Sequence, residues 1–376
     1  MLRSCAALAA VLSLVASARA NELSSPRSDE VAFGVVQAVA PPGTSTVALY
    51  VGRKRVKQVP ARAGPVSVRV PRRPGRYDLR LRFEGAGRIL RRDASHRVWL
   101  LPESAHVAVR ERSRDAAFGR RLGQLGASFR GWAGFWVHDL RTGRTASWNS
   151  DAPFPAASTV KLAVVIAALQ RAGPEPQHSR LWPWIRDVAT WSSNDATNKL
   201  LITLGGSEAG GSAIAQEVLR RLGTRDSTFT GFYRLGTAVT APRGDTPHPL
   251  PLLPWRRTTA HDLGRILFEL HSAALGNTVG RRRTGLDRHR ARLALGLLLS
   301  SSPRGDNVGV LRGAYGPTIP MAQKQGWTTY LRHTAAIVYG PQGPRILVVL
   351  TYRQNLPFSS ARSLGERFAA AVRAWR

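Results

Sequence analysis

Cysteine is almost absent from this chain of 376 residues, and the only one, Cys5, lies at the start of an N-terminal apolar run. A single thiol cannot form an intramolecular disulfide, and no paired cysteines indicate a metal site. The fold must therefore be stabilised by its apolar cores. The length is sufficient for two ordinary domains.

Acidic residues and lysine are also scarce. The chain has 23 acidic against 55 basic residues, a formal net charge of +32, and its only lysines are Lys54, Lys57, Lys161, Lys199 and Lys324. Such a surface attracts polyanions. No recognised nucleic-acid module is present, so we predict no nucleic-acid partner; anionic cell-envelope polymers are a candidate partner, and a solvated arginine-rich surface is an equal alternative. Since an ammonium can lose its proton when desolvated and a guanidinium cannot, a lysine kept in so arginine-rich a chain indicates a position that needs an amine.

Apolar runs long enough to cross a membrane are missing as well, and we predict no transmembrane segment. Residues 1–20 have the pattern of a signal peptide: Arg3 supplies a basic start, an apolar stretch follows, and Ala18-Arg19-Ala20 is a small-residue cleavage site. We therefore expect a secreted or extracytoplasmic protein, located in the periplasm or cell envelope, from which Cys5 has been removed.

Two domains are predicted after this segment. Residues 21–110 alternate short apolar runs with turn residues, which predicts a small all-β sandwich with an immunoglobulin-like arrangement. Its role as a binding or spacer module and a purely structural role are equally open. In residues 111–376, an early hairpin and two late strands flank several helical patterns, including 111–129, 162–170 and 194–204. This order predicts an α+β domain with an antiparallel sheet and helices.

The chemistry of the second domain centres on Ser158 and Lys161. Positions i and i+3 share one face of a helix, so the amine can reach the hydroxyl. A serine hydroxyl is a weak nucleophile unless a base takes its proton, and a lysine kept neutral by burial and cationic neighbours can do so. A helix cap followed by a surface lysine is the simpler alternative.

Two further motifs follow in order. Ser192-Ser193-Asn194 opens a helix, and Lys324-Gln325-Gly326-Trp327 precedes the last strands. Taken singly, each is also explained by a helix cap or a solvated lysine. Together with Phe154-Pro155-Ala156-Ala157-Ser158-Thr159, they resemble the nucleophile, S-D-N and K-T-G motifs of class A β-lactamases and penicillin-binding serine hydrolases, and the resemblance extends from about Gly131 to the C-terminus. No metal or cofactor is implied.

The resemblance implies a role for each matched residue. Ser158 would attack a carbonyl, Lys161 would take its proton, Ser192 would pass a proton to the leaving nitrogen, and Lys324 would hold a substrate carboxylate. Asn194, Gln325, Gly326 and Trp327 would bind the substrate, and the backbone N–H groups of Ser158 and Trp327 would form the oxyanion hole.

Three departures from the family pattern affect the expected activity. Ser193 replaces an aspartate, and Gln325 replaces a hydroxyl residue, which alters the contacts offered to a β-lactam. Between Ser227 and Thr259 there is no glutamate to activate water, the only acid being Asp245, so we expect slow deacylation.

The substrate is therefore predicted to be a small molecule, either a β-lactam or a peptidoglycan stem peptide. The leading hypothesis is an exported serine hydrolase that forms an acyl-enzyme. The alternatives are a D-alanyl-D-alanine peptidase or esterase of the same superfamily, and a non-catalytic envelope-binding protein that keeps the fold.

Overall fold

The computed structural model describes residues 23–234, 256–301 and 308–376. The chain divides into two compact units, one ending at Glu103 and the other spanning Ser104–Arg376. The predicted signal segment and Asp245 lie outside the described residues. No helix within the described ranges is both long enough and apolar enough to cross a membrane.

The described part of the N-terminal unit consists mainly of short strands. They are β1 (Leu23–Ser25), β2 (Val31–Phe33), β3 (Val35–Ala40), β4 (Thr46–Val51), β5 (Lys54–Pro60), β6 (Gly64–Arg69), β7 (Gly75–Gly85), β8 (Arg88–Arg92) and β9 (His96–Leu101). One sheet has the order β1-β3-β6, and the other has the order β2-β9-β7-β4-β5 with β8 paired to β7.

Strand β7 explains why two sheets pack together. Leu79, Leu81 and Phe83 are fully buried, while the arginines between them are only partly covered. Because successive side chains of a strand point to opposite faces, one face of the sheet is apolar. That face shares a core with Val36 and Val68 of the smaller sheet. The unit is an all-β sandwich, which confirms that part of the predicted fold class.

The C-terminal unit is built around a six-stranded sheet with the order β10-β12-β11-β17-β16-β15. The strands of this unit are β10 (Ser113–Arg114), β11 (Trp132–Asp139), β12 (Arg144–Trp148), β13 (Phe154–Pro155), β14 (Arg257–Thr258), β15 (Met321–Trp327), β16 (Arg332–Gly340) and β17 (Gly343–Tyr352). The early hairpin β11–β12 joins the late strands through antiparallel pairing of β11 with β17. The two ends of the domain therefore meet in one sheet, as the sequence predicts.

Helices cover both faces of this sheet. They are α1 (Ala116–Ala127), α2 (Lys161–Arg171), α3 (Trp182–Thr190), α4 (Asn194–Gly205), α5 (Glu208–Leu222), α6 (Ala260–Ala274), α7 (Thr278–Thr284), α8 (Arg288–Leu299), α9 (Arg312–Tyr315) and α10 (Phe358–Ala374). Phe118 of α1 and Phe368 of α10 share a core with Phe135 of β11. On the opposite face, Gly264 of α6 lies so close to Trp136 that a Cβ there would come within 2.4 Å of the indole.

The first helix is shorter than predicted. The expected helix over 111–129 begins only at Ala116, because Asp115 caps it by accepting a hydrogen bond from the Phe118 N–H. Before that cap, Ser113 and Arg114 pair in parallel with β12. Helix α3 is an element that the sequence analysis does not predict.

Candidate active site

The segment carrying Ser158 is a tight turn that leads into α2. The Lys161 N–H donates to the Ser158 carbonyl at 3.3 Å, and the Thr159 hydroxyl donates to the Ala156 carbonyl at 2.6 Å. Ala157 has a φ of +46°, a left-handed conformation that is strained for a residue with a side chain. The helix therefore begins at Lys161 rather than at the serine, and the surrounding hydrogen bonds hold the strained turn in place.

Lys161 is a buried side chain at the start of α2, not the surface lysine of the simpler alternative. It is fully inaccessible to solvent, and its Nζ donates to the carbonyl oxygen of Ser192 and to Oδ1 of Asn194, both at 2.6 Å. The first and second motifs are therefore in direct contact. Ser192 has a φ of +61°, a second strained position at the same site.

Lys324 connects the third motif to the second. It is 1% exposed on strand β15, and its Nζ donates to Ser192 Oγ at 2.7 Å and to the Gln325 carbonyl at 2.9 Å. The same strand lies against the serine segment, since a Cβ on Gly326 would come within 2.9 Å of the Ser158 nitrogen. All three sequence motifs thus converge on one place.

Strand β16 anchors the serine segment from behind. The ring of His333 donates from Nε2 to the Pro155 carbonyl at 2.9 Å and accepts the Thr351 N–H at Nδ1. One donor and one acceptor nitrogen define a neutral imidazole. Burial agrees with this assignment, because it lowers the pKa of His333 to about 4. The histidine packs behind the serine segment and anchors it.

Burial and positive neighbours weaken the proton affinity of both lysines. Burial, followed by the charges of Lys324 and Arg256, lowers the pKa of Lys161 well below its usual value of 10.5. Burial alone lowers the pKa of Lys324 to about 7. Among the described residues, no carboxylate forms an ion pair with either amine. The site therefore favours the neutral form of each amine more than water does.

Tyr233 and Arg256 belong to the site but are missed by the sequence analysis. The centre of the Tyr233 ring lies 4.3 Å from Lys161 Nζ and 3.7 Å from the Arg256 guanidinium carbon. Its hydroxyl donates to the carbonyl of Ala157 at 3.0 Å, and burial raises its pKa to about 12, so it stays protonated. The side chain of Asn198 in α4 holds the Tyr233 backbone through its N–H and C=O. Neither residue belongs to a sequence motif. The hydrogen bonds of Asn198 join residues that are 35 positions apart, so the sequence does not predict them.

The remaining predicted residues occupy different surroundings. Ser193 caps α4 by accepting the Ala196 N–H at 3.1 Å. Gln325 is buried, with its amide donating to the Ser301 hydroxyl at 3.2 Å, so this group is already engaged within the protein. Trp327 is 43% exposed, and the guanidinium of Arg332 lies 4.9 Å from its ring.

Comparisons with known proteins agree with this architecture. The chain matches solved structures of a β-lactamase from Desulfarculus baarsii (20% identity, TM-score 0.52, 68% of this chain and 97% of that chain) and one from Streptosporangium roseum (21%, 0.52, 69% and 98%). It also matches a mutant of PBP-A in an acyl-enzyme complex with penicillin G (17%, 0.54, 71% and 99%). The fold is that of the class A β-lactamase and transpeptidase-like hydrolases.

The family assignment rests on a sequence model that matches most of this unit. The model of the beta-lactamase enzyme family aligns with residues 117–178 and 174–375. The chain belongs to this family. No curated protein sequence matches it significantly.

Proposed function

We propose that the C-terminal unit is a serine hydrolase that is acylated on Ser158 by β-lactams or by related amides and esters. The observation that carries the proposal is the arrangement around Lys161. A neutral amine has two N–H donors and one lone pair, and the carbonyl of Ser192 and Oδ1 of Asn194 are placed to take both donors. The lone pair is then left for the proton of the Ser158 hydroxyl, which lies three residues earlier in the turn before the helix.

In the acylation step, Ser158 Oγ bonds to the substrate carbonyl carbon as its proton moves to Lys161 Nζ. The N–H groups of Ser158 and Trp327 would stabilise the oxyanion that forms. Asn194 uses Oδ1 for Lys161, which leaves its Nδ2 hydrogens for a substrate carbonyl.

Ser192 and Lys324 would complete the proton transfers. When the C–N bond breaks, the leaving nitrogen takes the hydroxyl proton of Ser192, and the ammonium of Lys324 can restore it across the 2.7 Å contact. A pKa of about 7 for Lys324 suits this exchange, because both forms are populated at neutral pH. Its positive form would also attract the substrate carboxylate.

Deacylation is proposed to be slow. Hydrolysis of the acyl-enzyme requires a base that activates water. Among the described residues, Tyr233 is a titratable side chain next to Lys161, so it must be considered as that base. Its ring contacts Lys161, and its hydroxyl donates to the Ala157 carbonyl. A protonated phenol with a pKa of about 12 is a poor base at neutral pH. This favours a long-lived adduct over rapid turnover.

Mass spectrometry of the intact protein mixed with benzylpenicillin, followed over hours, tests the proposal. We expect a mass increase of one penicilloyl group on Ser158 that decays slowly. Ser158→Ala should abolish it, whereas Ser207→Ala, which removes a helix-capping serine of α5, should not. Absence of an adduct with any β-lactam or acyl ester would contradict acylation, and its disappearance within seconds would contradict slow deacylation.

A peptidase acting on D-alanyl-D-alanine stems would use the same acylation step. Comparing turnover of a chromogenic cephalosporin with release of terminal D-alanine from a stem peptide separates the two activities. We further propose export to the cell envelope, with support from the pattern of residues 1–20 alone. Detecting the full-length chain in the cytoplasm with its N-terminus intact would contradict that part.

A further inference from the structure

Two tryptophans with much of their surface in water are sequence neighbours of residues in the candidate active site. Trp191 is 54% exposed and Trp327 is 43% exposed, and they are the only tryptophans within the described ranges that reach this level. Single exposed apolar residues are ordinary on a protein surface. Here, however, both occupy positions directly beside catalytic motifs, since Trp191 precedes Ser192 and Trp327 follows Gly326.

The backbone explains why Trp191 remains outside while its neighbour enters the site. Trp191 caps the C-terminus of helix α3, where its N–H donates to the Asp187 carbonyl at 3.0 Å. The left-handed φ of +61° at Ser192 then turns the chain, and the Ser192 carbonyl accepts from Lys161 while its hydroxyl accepts from Lys324. The position of Trp191 is thus tied to the geometry of the reacting groups.

The ring of Trp327 is held by a residue of the neighbouring strand β16, since Trp327 pairs with Arg332. The guanidinium of Arg332 lies 4.9 Å from this ring and 6.0 Å from the ring of Phe358, which is itself 36% exposed. Arg332 is fixed in turn, because its Nη1 donates to the Thr328 carbonyl at 2.9 Å. An aromatic side chain held in place before the ligand arrives loses less conformational entropy on binding.

We infer that Trp191 and Trp327 form an aromatic rim that selects acyl donors carrying a flat ring on the acyl side chain. This inference rests on the proposed acylation of Ser158. The backbone N–H of Trp327 is the proposed oxyanion donor, so its side chain is attached beside the reacting carbonyl. Aromatic pairs prefer stacked or edge-to-face contacts and add to the energy of simple burial. Each tryptophan is expected to contribute about two- to tenfold to the preference for a ring-bearing donor.

The test compares two acyl donors that differ only in the phenyl ring. Benzylpenicillin carries a phenylacetamido group, and 6-acetamidopenicillanic acid keeps the amide and the fused rings without the phenyl ring. The second-order acylation rate constants of the full chain give a preference ratio. We expect Trp191→Ala and Trp327→Ala each to lower that ratio about two- to tenfold, and Trp327→Phe to keep most of it.

Ile202→Ala is the matched control, because it removes an exposed apolar side chain (48%) from helix α4. It should leave the ratio unchanged. A ratio that is the same in the wild type and in both alanine variants would overturn the aromatic rim while leaving acylation intact.

A second measurement separates failure of the rim from failure of the proposed function. If neither compound acylates the wild type, the proposed function fails. The rim is then tested by calorimetric binding of both compounds to Ser158→Ala. Equal affinity for the two would overturn the inference, and tighter binding of benzylpenicillin that is lost in Trp191→Ala or Trp327→Ala would support it.

Discussion

In the N-terminal unit, arginines pair with acids at the surface, whereas the C-terminal unit buries two lysines away from any described carboxylate. Arg69 and Glu103 lie 3.0 Å apart with their side chains 65% and 53% exposed, and Arg97 and Asp78 form a similar pair. Lys161 and Lys324 have carbonyl and hydroxyl oxygens as partners instead. Surface pairs contribute little to stability, but a buried charge without a counter-ion is costly, so the second arrangement points to chemistry rather than folding.

The largest effect is expected when a permanent positive charge is placed at position 161. A guanidinium cannot lose its proton at neutral pH and cannot act as a base. Lys161→Arg should therefore lower the rate constant of acylation by benzylpenicillin about 10²- to 10⁴-fold. Lys199→Arg is the control, because Lys199 is an exposed partner of Asp195. Nearly unchanged acylation in Lys161→Arg would show that this amine is not the base.

Replacing Lys324 tests the stability cost of the buried site. Lys324→Met keeps an unbranched side chain and removes the charge, so we expect the free energy of unfolding at pH 7 to rise by about 1–4 kcal/mol while acylation is lost. Chemical denaturation together with the penicillin-adduct assay measures both effects. A less stable variant would show that the hydrogen bonds of Lys324 outweigh its desolvation.

The stability of the wild type and of Lys324→Met should depend differently on pH. Lys324 has a pKa of about 7 in the folded chain and an ordinary value of 10.5, so between these values the unfolded chain binds more protons. The stability of the wild type should therefore rise with pH across this window, by at most about 1.4 kcal/mol per pH unit from this group. In Lys324→Met that contribution disappears. Parallel stability curves for the two proteins would contradict the assignment.

A smaller effect is expected at Arg256, whose charge helps to lower the pKa of Lys161. Arg256→Gln should raise this pKa and move the pH profile of acylation to higher pH. If the profile moves by about one pH unit, the acylation rate falls about tenfold on the acidic side of the profile, because below its pKa the neutral fraction of the amine falls by that factor. Tyr233→Phe, which keeps the ring that both cations contact, should leave the profile in place.

Arg257→Gln is the matched control for Arg256→Gln. Arg257 is the next residue along the chain, and its side chain donates to the Asp226 carbonyl. If Arg257→Gln moved the pH profile as far as Arg256→Gln does, the shift would result from the loss of any nearby positive charge and not from Arg256 in particular.

The sequence could predict the parts of the site that are close together in the chain, but not the contacts between distant segments. Ser158 and Lys161 are three residues apart, and the hairpin and late strands follow from local patterns, so short-range reasoning finds them. Tyr233 and Arg256 reach Lys161 from distant parts of the chain, and no local pattern reports such contacts. The motif Ser192-Ser193-Asn194 shows a further limit, because its helix-cap and active-site interpretations are both correct. Ser193 caps α4, while Ser192 contacts both buried amines, and the sequence alone could not assign the two roles.

The smallest effect on stability is expected for an exposed cation of the N-terminal unit. Arg69→Gln removes one partner of an exposed ion pair, which loses little because water already solvates both groups. The free energy of unfolding should fall by less than about 1 kcal/mol, and added salt should reduce the difference further. Acylation should not change, since Arg69 lies in strand β6 of the other unit. If Arg69→Gln altered stability as strongly as Lys324→Met, burial would not be what distinguishes the cations of the two units.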